Sequence, residues 1–224
     1  MNIEPLDSGA CSEILSATWT KGLTYDFRDN QFARKKDIEI EINFKAKRAG
    51  FGVVPCYGIT CNKEGYMLVL IRMDKNMSNY LEENHPLSRQ QIDNILWSLS
   101  SRLCQLHKAN IIHNDLHPGN FMIGKGGEWN LIDLGFSLTN DENRRRHGDL
   151  DSKESDIYTF AAMMCEVITG CPLKLDNSDY PILPTGIPAE YRKIIEMCLD
   201  PEPNKRPKSV SLVCFFRAHM EEYS

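Results

Sequence analysis

The sequence predicts an α+β fold in which a small β-rich lobe precedes a larger helical lobe. Short β-prone runs such as residues 67–71 occur before about residue 85, whereas helical periodicity dominates after it. Hydrophobic residues make up 42% and charged residues 25% of the 224-residue chain, which excludes a largely disordered protein. We expect one domain over residues 1–224.

Two segments of the first lobe carry a secondary-structure signal. Residues 67–71 form the clearest predicted strand, because five apolar residues follow one another. The segment 38–49 fits two structures. Its apolar residues alternate with polar ones from Ile38 to Phe44, which is typical of a strand. The longer segment also suits a helix that begins after Asp37 and ends at Gly50, so the pattern leaves both structures open.

The second lobe contains four predicted helices. Apolar residues at helical spacing mark one helix over residues 88–108 and another over 157–168, where Gly170 supplies a stop signal. A third helix covers residues 191–199 and a last one covers 208–222.

Charge and composition limit the partners. The chain has 31 acidic and 26 basic residues, a formal net charge of -5, which gives no general attraction to nucleic acid. No apolar run approaches the ~20 residues of a membrane helix, and residues 1–10 lack the features of a secretory signal. We expect an intracellular, cytoplasmic monomer without nucleic-acid or membrane partners.

Eight cysteines are present without a C-x-x-C pair. Several lie in apolar runs, such as Cys165 and Cys214, and the histidines do not accompany them at zinc-ligand spacing. The sequence therefore predicts reduced cysteines in the core rather than disulfides or a metal site.

Polar residues with a chemical role concentrate in residues 111–136. Two short apolar runs, residues 121–123 and 129–132, flank a Gly-rich turn and predict a β-hairpin. Asp115 and Asn120 precede this hairpin and Asp133 follows it, so three oxygen-bearing side chains should meet at one edge. Such oxygens suit Mg²⁺ when phosphates supply its remaining ligands, and a further carboxylate can accept a proton.

These residues resemble two motifs of the protein-kinase-like superfamily. His113 to Asn120, HNDLHPGN, resembles the catalytic loop H-R-D-x-x-x-x-N, and Asp133-Leu134-Gly135 resembles D-F-G. The resemblance implies a bilobal protein kinase-like fold, with a first lobe of about 1–72, a hinge of about 71–76 and a second lobe of about 77–224. It implies ATP and Mg²⁺ as cofactors and a protein substrate. It also implies that Asp115 is the catalytic base, that Asn120 and Asp133 bind the metal, and that His113 supports the loop by packing and hydrogen bonds.

Weaker similarities extend through the first lobe. Residues 32–35, FARK, resemble the V-A-I-K strand, so Lys35 would pair with the phosphates. Glu41 has the spacing of the helical glutamate that pairs with this lysine, with Glu39 as the alternative. Residues 6–14 occupy the place of the glycine-rich loop but retain only one glycine. The resemblance thus implies nucleotide contacts at Gly9, Ile14, Ala33, Lys35, Glu41, Leu70 and Asp133. The gatekeeper residue would be Leu70 or Val69. The catalytic residues would be Asp115, Lys35, Asn120 and His117.

The C-terminal half resembles protein kinases at two further places. Residues 155–160, SDIYTF, are similar to the S-D-x-W-S-F helix start, where Asp156 would brace the backbone of the catalytic loop. Residues 198–207 resemble the C-x-x-x-D-P-x-x-R-P close of the domain. The family's glutamate partner for Arg206 would be Glu142 or Glu154.

Several positions depart from the family pattern. Asn114 replaces the arginine that clamps a phosphorylated activation loop, which disfavours switching by phosphorylation. His117 replaces a lysine and resembles small-molecule phosphotransferases; it would either donate to the γ-phosphate or hydrogen-bond within its loop. The segment after Asp133 is short and lacks A-P-E, and the arginines at 144–146 within it are typical of a solvated loop.

The function implied by the resemblance is an ATP- and Mg-dependent protein kinase, with Ser/Thr preferred over Tyr. Two alternatives remain. The lost glycines and the shortened segment favour a pseudokinase that acts as a nucleotide-binding or protein-binding module. The His-Pro-Gly form of the loop favours an aminoglycoside-type small-molecule kinase.

Overall fold

The computed structural model describes residues 3–8, 13–17, 40–46, 53–62, 65–139, 152–175 and 181–221. The strands are β1 Ile3–Ser8, β2 Glu13–Ala17, β3 Cys56–Asn62, β4 Gly65–Leu70, β5 Lys75–Asn76, β6 Ile111–Ile112, β7 Phe121–Ile123, β8 Trp129–Leu131, β9 Leu138–Thr139, β10 Lys174–Leu175 and β11 Pro181–Ile182. The helices are α1 over 40–46, α2 Met77–Asn84, α3 Arg89–Lys108, α4 Lys153–Thr169, α5 Ala189–Cys198 and α6 Ser209–Glu221.

Antiparallel pairs make up the sheet structure. β1 pairs with β2, β3 with β4, and β10 with β11. β5, β7 and β8 form a three-stranded sheet, and β6 pairs with β9. β4 matches the predicted strand at 67–71, and β7 with β8 is the predicted hairpin. The fold is the bilobal α+β arrangement that the sequence predicts.

The segment that fitted both a strand and a helix is helical over 40–46. Ile42, Asn43 and Ala46 are buried, whereas Glu41 and Lys45 are exposed. This spacing of one, three and four residues is that of a helix with one face toward the core. Ile42 and Ala46 belong to the same hydrophobic core as the second lobe, and this packing selects the helix.

Helix α3 runs through the centre of the core. Its capping box joins Ser88 to Gln91, and Leu96, Leu99 and Leu103 are fully buried. The other predicted helices are confirmed as α4, α5 and α6, and α4 ends at Gly170 in the left-handed conformation at φ 70°. None of the helices within the described ranges is apolar enough over a sufficient length to cross a membrane.

The cysteines divide into two groups. Cys56, Cys104, Cys165 and Cys198 are free and buried, and Cys171 and Cys214 are free and exposed. The prediction that Cys214 lies in the core is wrong, because this residue is exposed. Helix α6 buries Leu212 and Phe216 instead, four residues apart, and Cys214 lies halfway between them on the opposite face.

Candidate active site

A buried carboxylate on α4 holds the start of the predicted catalytic loop. Asp156 accepts hydrogen bonds at 2.9 Å from the backbone amides of His113 and Asn114 and from Nε2 of His107. The side chain of Asp156 is only 2% exposed, so these three donors replace the water that the carboxylate has lost. The predicted bracing of the loop by Asp156 is confirmed.

His113 connects the loop to the end of β8. Its Nε2 donates to the carbonyl of Ile132 at 3.1 Å, and its Nδ1 accepts from the amide of Asp115 at 3.3 Å. Burial lowers the pKa of His113, partly offset by the negative charge of Asp156. The ring supports the loop by hydrogen bonds from both of its nitrogens, as predicted, and burial favours its neutral form.

Two hydrogen bonds join the predicted catalytic loop to the residues that follow Asp133. The β6–β9 pairing continues as a hydrogen bond from Ser137 Oγ to the carbonyl of His113 at 3.1 Å. A longer contact of 3.4 Å joins Asn114 Nδ2 to the carbonyl of Phe136. Asn114 has φ 64°, a conformation that asparagine tolerates better than most residues. This asparagine therefore joins the two segments with an uncharged group where the family carries arginine.

The side chains of Asp115 and Asn120 contact each other directly. Asn120 Nδ2 donates to the Asp115 carboxylate at 3.1 Å and to the Asp115 carbonyl at 2.9 Å. Since both bonds use Nδ2, the amide oxygen Oδ1 of Asn120 is turned away from Asp115, and among the described residues it accepts no hydrogen bond. A 3₁₀ turn over Pro118–Asn120 sets this arrangement.

Asp133 lies next to this pair through the backbone. The amide of Ile132, one residue earlier, donates to the carbonyl of Asn120 at 2.9 Å. Asp133 is exposed with φ 57°, and its Oδ1 accepts from the amide of Gly135 at 3.0 Å. The next side chain, Leu134, is buried and anchors the turn in the core.

The donor set fits a magnesium ion that also binds phosphate. Asn120 Oδ1 and the Asp133 carboxylate are hard oxygen donors, and Mg²⁺ is commonly held by one or two protein oxygens plus phosphates and water. Within the described ranges no cluster of three or more His, Cys, Asp or Glu side chains could hold a metal by itself. The two oxygens therefore suit an ion that arrives with a nucleotide.

His117 makes the loop hydrogen bond that was one of its two predicted roles. Its Nδ1 accepts from the amide of Gly119 at 3.1 Å, which assigns the proton of the neutral ring to Nε2. Nε2 lies 3.8 Å from the Asp115 carboxylate, and the side chain is half exposed. A Cβ at Gly119 would lie 2.7 Å from the ring, so glycine is needed there for the close contact. The loop bond leaves an outward donor beside Asp115.

The predicted nucleotide-binding residues are described only in part. Ile14 lies in β2, and Leu70, at the end of β4, is 38% exposed. Glu41 lies on the exposed face of α1. Gly9, Ala33, Lys35, Glu39, Glu142 and the arginines at 144–146 lie outside the described residues.

Arg206 binds main-chain carbonyls. Its Nη1 donates to the carbonyl of Glu154 at 2.9 Å and its Nε to the carbonyl of Asp200 at 2.8 Å. The guanidinium also lies over the ring of Tyr158, 4.9 Å from its centroid. Of the two glutamates that the sequence offered as partners of Arg206, Glu154 binds it through its backbone carbonyl, and Glu142 lies outside the described residues.

Three residues of this region were missed by sequence reasoning. His107 bonds Asp156 through Nε2 and Ser209 through Nδ1, and Lys153 donates to the carbonyl of His107 at 2.6 Å and to Asn110 Oδ1 at 2.9 Å. Burial lowers the pKa of Lys153. The contacts of His107 and Lys153 join residues more than forty positions apart, so no local spacing could have indicated them.

The fold and the loop define a protein kinase-like protein, and comparison with known families agrees. A family model described as "Protein kinase domain" matches residues 20–151. The chain belongs to the protein kinase domain family.

Curated relatives are similar at low identity. Probable serine/threonine-protein kinase fnkB of Dictyostelium discoideum is 24% identical over 196 residues, which cover 72% of this chain and 37% of the relative. Aurora kinase of Schizosaccharomyces pombe is 24% identical over 198 residues, 77% of this chain and 55% of the relative. Inactive serine/threonine-protein kinase PLK5 of Mus musculus is 26% identical over 169 residues, 63% of this chain and 28% of the relative. The matches thus span between 28% and 55% of the length of these three proteins.

Proposed function

We propose that the chain is an ATP- and Mg-dependent phosphotransferase, a protein kinase that transfers the γ-phosphate of ATP to a serine or threonine hydroxyl. The observation that carries the proposal is the contact between Asn120 and Asp115. The side-chain nitrogen of Asn120 orients the Asp115 carboxylate, and the side-chain oxygen of Asn120 remains available to bind a cation. A general base and a metal ligand are thereby fixed relative to each other.

Asp115 is the base in this proposal. Its Oδ2 is held by Asn120, and its Oδ1 accepts no hydrogen bond within the described part of the chain. The acceptor hydroxyl donates to this oxygen, its oxygen forms the bond to phosphorus, and its proton passes to the carboxylate as the bond to the leaving ADP breaks. His117 donates from Nε2 to an oxygen of the transferred phosphate, because Nδ1 is occupied by Gly119.

Asn120 Oδ1 and Asp133 hold the Mg²⁺ that accompanies ATP. When bound, this ion neutralises phosphate charge. The Asx turn from Asp133 to Gly135 and the buried Leu134 keep the Asp133 carboxylate at the loop edge. Lys35, Gly9, Ile14, Ala33 and Leu70 contact the nucleotide from the first lobe.

The burial pattern of α1 favours Glu39 over Glu41 as the partner of Lys35. In the sequence pattern of the helix predicted over 38–49, position 39 precedes Ile42, Asn43 and Ala46 by three, four and seven residues, and these three residues are buried. Glu41 lies on the opposite, exposed face. We therefore expect Glu39→Gln to weaken nucleotide binding more than Glu41→Gln does.

The hinge of the proposed domain is residues 71–76, between a first lobe of about 1–72 and a second lobe of about 77–224. Two backbone hydrogen bonds support this proposal. Ile71 donates at 3.0 Å to Pro55, the residue before β3, and Asp74 donates at 2.9 Å to Ile123 of β7, so the segment links two different sheets. The free cysteines suit a reducing compartment such as the cytoplasm.

A second candidate function is a nucleotide-binding or protein-binding module without turnover. The observation that favours it is the single glycine at the place of the glycine-rich loop, since glycines there allow backbone amides close to the phosphates. The small-molecule kinase remains an outcome of the experiment below.

The experiment measures phosphate transfer from γ-labelled ATP with Mg²⁺ to generic protein substrates and to small alcohols. The wild type should label protein, and Asp115→Asn should abolish the signal while ATP binding persists. Glu82→Gln is the matched control, because Glu82 is an exposed carboxylate on α2. ATP binding without transfer would support the binding module, and labelling of alcohols alone would support a small-molecule kinase.

A further inference from the structure

A buried chain of hydrogen bonds connects the first residue of α6 to the catalytic loop. Ser209 Oγ lies 3.1 Å from Nδ1 of His107, and Nε2 of the same ring lies 2.9 Å from Asp156. Asp156 in turn holds the amides of His113 and Asn114. Ser209 and His107 are each 6% exposed, Asp156 is 2% exposed and His113 is fully buried, so water does not compete along this path.

The donor and acceptor groups of Asp156, His107 and Ser209 indicate the direction of the hydrogen bonds between them. Asp156 accepts from two backbone amides, and Nε2 of His107, at 2.9 Å, is placed to donate a third hydrogen bond to this carboxylate. In the tautomer that carries its proton on Nε2, Nδ1 is the acceptor and the hydroxyl of Ser209 donates to it. Ser209 therefore favours the tautomer and the ring orientation in which the Nε2–H group of His107 points at Asp156.

The backbone of His107 is anchored independently of its ring. Lys153 Nζ donates to the His107 carbonyl, and the neighbouring turn is held through Asn110. The position of Ser209 is fixed from the other side, because Arg206, three residues earlier, bonds the carbonyl of Glu154 near Asp156. Both ends of the Ser209–His107 contact are thus held, and the ring orientation is the variable that the hydroxyl controls.

We infer that Ser209 is a positioning residue for phosphotransfer, acting through His107 and Asp156 on the amides that aim Asp115. This inference rests on the proposed function for its kinetic consequence alone. Loss of one neutral hydrogen bond lowers the population of the state in which the His107 ring is correctly oriented by about fivefold. Ser209→Ala should therefore lower kcat by about fivefold and leave KM for ATP unchanged.

The test compares Ser209→Ala with Ser209→Thr, which keeps the hydroxyl, and with Ser211→Ala, which removes an exposed serine from the same helical turn. Three quantities are measured well below the unfolding temperature: kcat and KM, the ¹⁵N shifts of the His107 ring, and hydrogen exchange of the His113 and Asn114 amides. Ser209→Ala should alter the Nδ1 shift and speed exchange of these two amides about fivefold. Ser209→Thr and Ser211→Ala should match the wild type.

Two results would overturn the inference. One is an unchanged His107 shift and unchanged amide exchange in Ser209→Ala. The other is an equal acceleration of exchange across the whole fold, which would mean that Ser209 contributes only global stability. If the wild type transfers no phosphate, the proposed function fails, and the ring shifts and amide exchange alone decide the role of Ser209.

Discussion

A buried tyrosine–aspartate contact provides a quantitative test of the second lobe. Asp93 on α3 is fully buried, and its Oδ1 accepts from the hydroxyl of Tyr191 on α5 at 2.5 Å. Its other oxygen lies 3.7 Å from Arg89 Nε, too far for a hydrogen bond. The perturbation is Tyr191→Phe, which removes the hydroxyl and leaves the carboxylate buried.

The expected cost follows from the charge and burial of Asp93. A hydrogen bond to a charged group contributes about 1.5–3 kcal/mol, and a buried carboxylate left without its donor lies in the upper part of that range. We expect Tyr191→Phe to lower the free energy of unfolding by about 2–3 kcal/mol. For a domain of this size the melting temperature should fall by about 4–12 °C.

The assay is urea denaturation of the wild type, Tyr191→Phe and the same change in an Asp93→Asn background. The neutral amide oxygen still accepts from Tyr191, so the cost of removing the hydroxyl there should shrink to about 1 kcal/mol. Tyr80→Phe is the control, because the Tyr80 hydroxyl has no hydrogen-bond partner among the described residues and its ring packs edge-on against Trp129. An equal, small cost of Tyr191→Phe in both backgrounds would mean that the charge of Asp93 does not strengthen this hydrogen bond.

Three further predictions concern the loop, pH and thiol chemistry. Gly119→Ala should displace the His117 ring and lower kcat as far as His117→Ala does, with no additional loss in the double variant; additive losses would contradict this. Burial lowers the pKa of His113 in the folded protein. As the pH falls below about 6.5, the unfolded chain therefore takes up a proton at this histidine before the folded protein does. The free energy of unfolding should then drop by up to ~1.4 kcal/mol per pH unit. A flat profile between about pH 6.5 and 5 in denaturant titrations would count against it. Burial raises the pKa of Cys198 to about 12. Iodoacetamide at about pH 8 should therefore modify exposed Cys171 and spare Cys198, as measured by peptide mapping. Equal labelling of the two cysteines would contradict the burial of Cys198.

The helices of the second lobe could be predicted because each signal is local. Residues 88–108 combine helical periodicity with a capping box, and Gly170 supplies the left-handed C-cap of α4. The segment 38–49 could not be assigned from its sequence, since its Ile–Glu alternation suits a strand and its length suits a helix. Packing of Ile42 against the second lobe decides between them, and that contact is not local.

In the candidate site, too, some residues could be predicted from local motifs and others could not. Asp115, Asn120 and Asp156 were predicted from motifs in which spacing in the sequence sets position in the fold. The carbonyl partner of Arg206, the exposure of Cys214 and the role of Ser209 depend on how helices pack across the lobe. Ser209 and His107 are 102 positions apart, and a serine at the start of a helix carries no signal of such a contact.

In the proposed mechanism, Asp133 and Asn120 bind the metal-nucleotide and Asp115 serves only the transfer. Thermal denaturation with and without Mg-ATP tests this claim directly. At a concentration of 100 times Kd, the nucleotide should stabilise the wild type and Asp115→Asn by about 2.7 kcal/mol and leave Asp133→Asn unshifted. Equal stabilisation of all three proteins, or of none, would contradict the assignment of these residues.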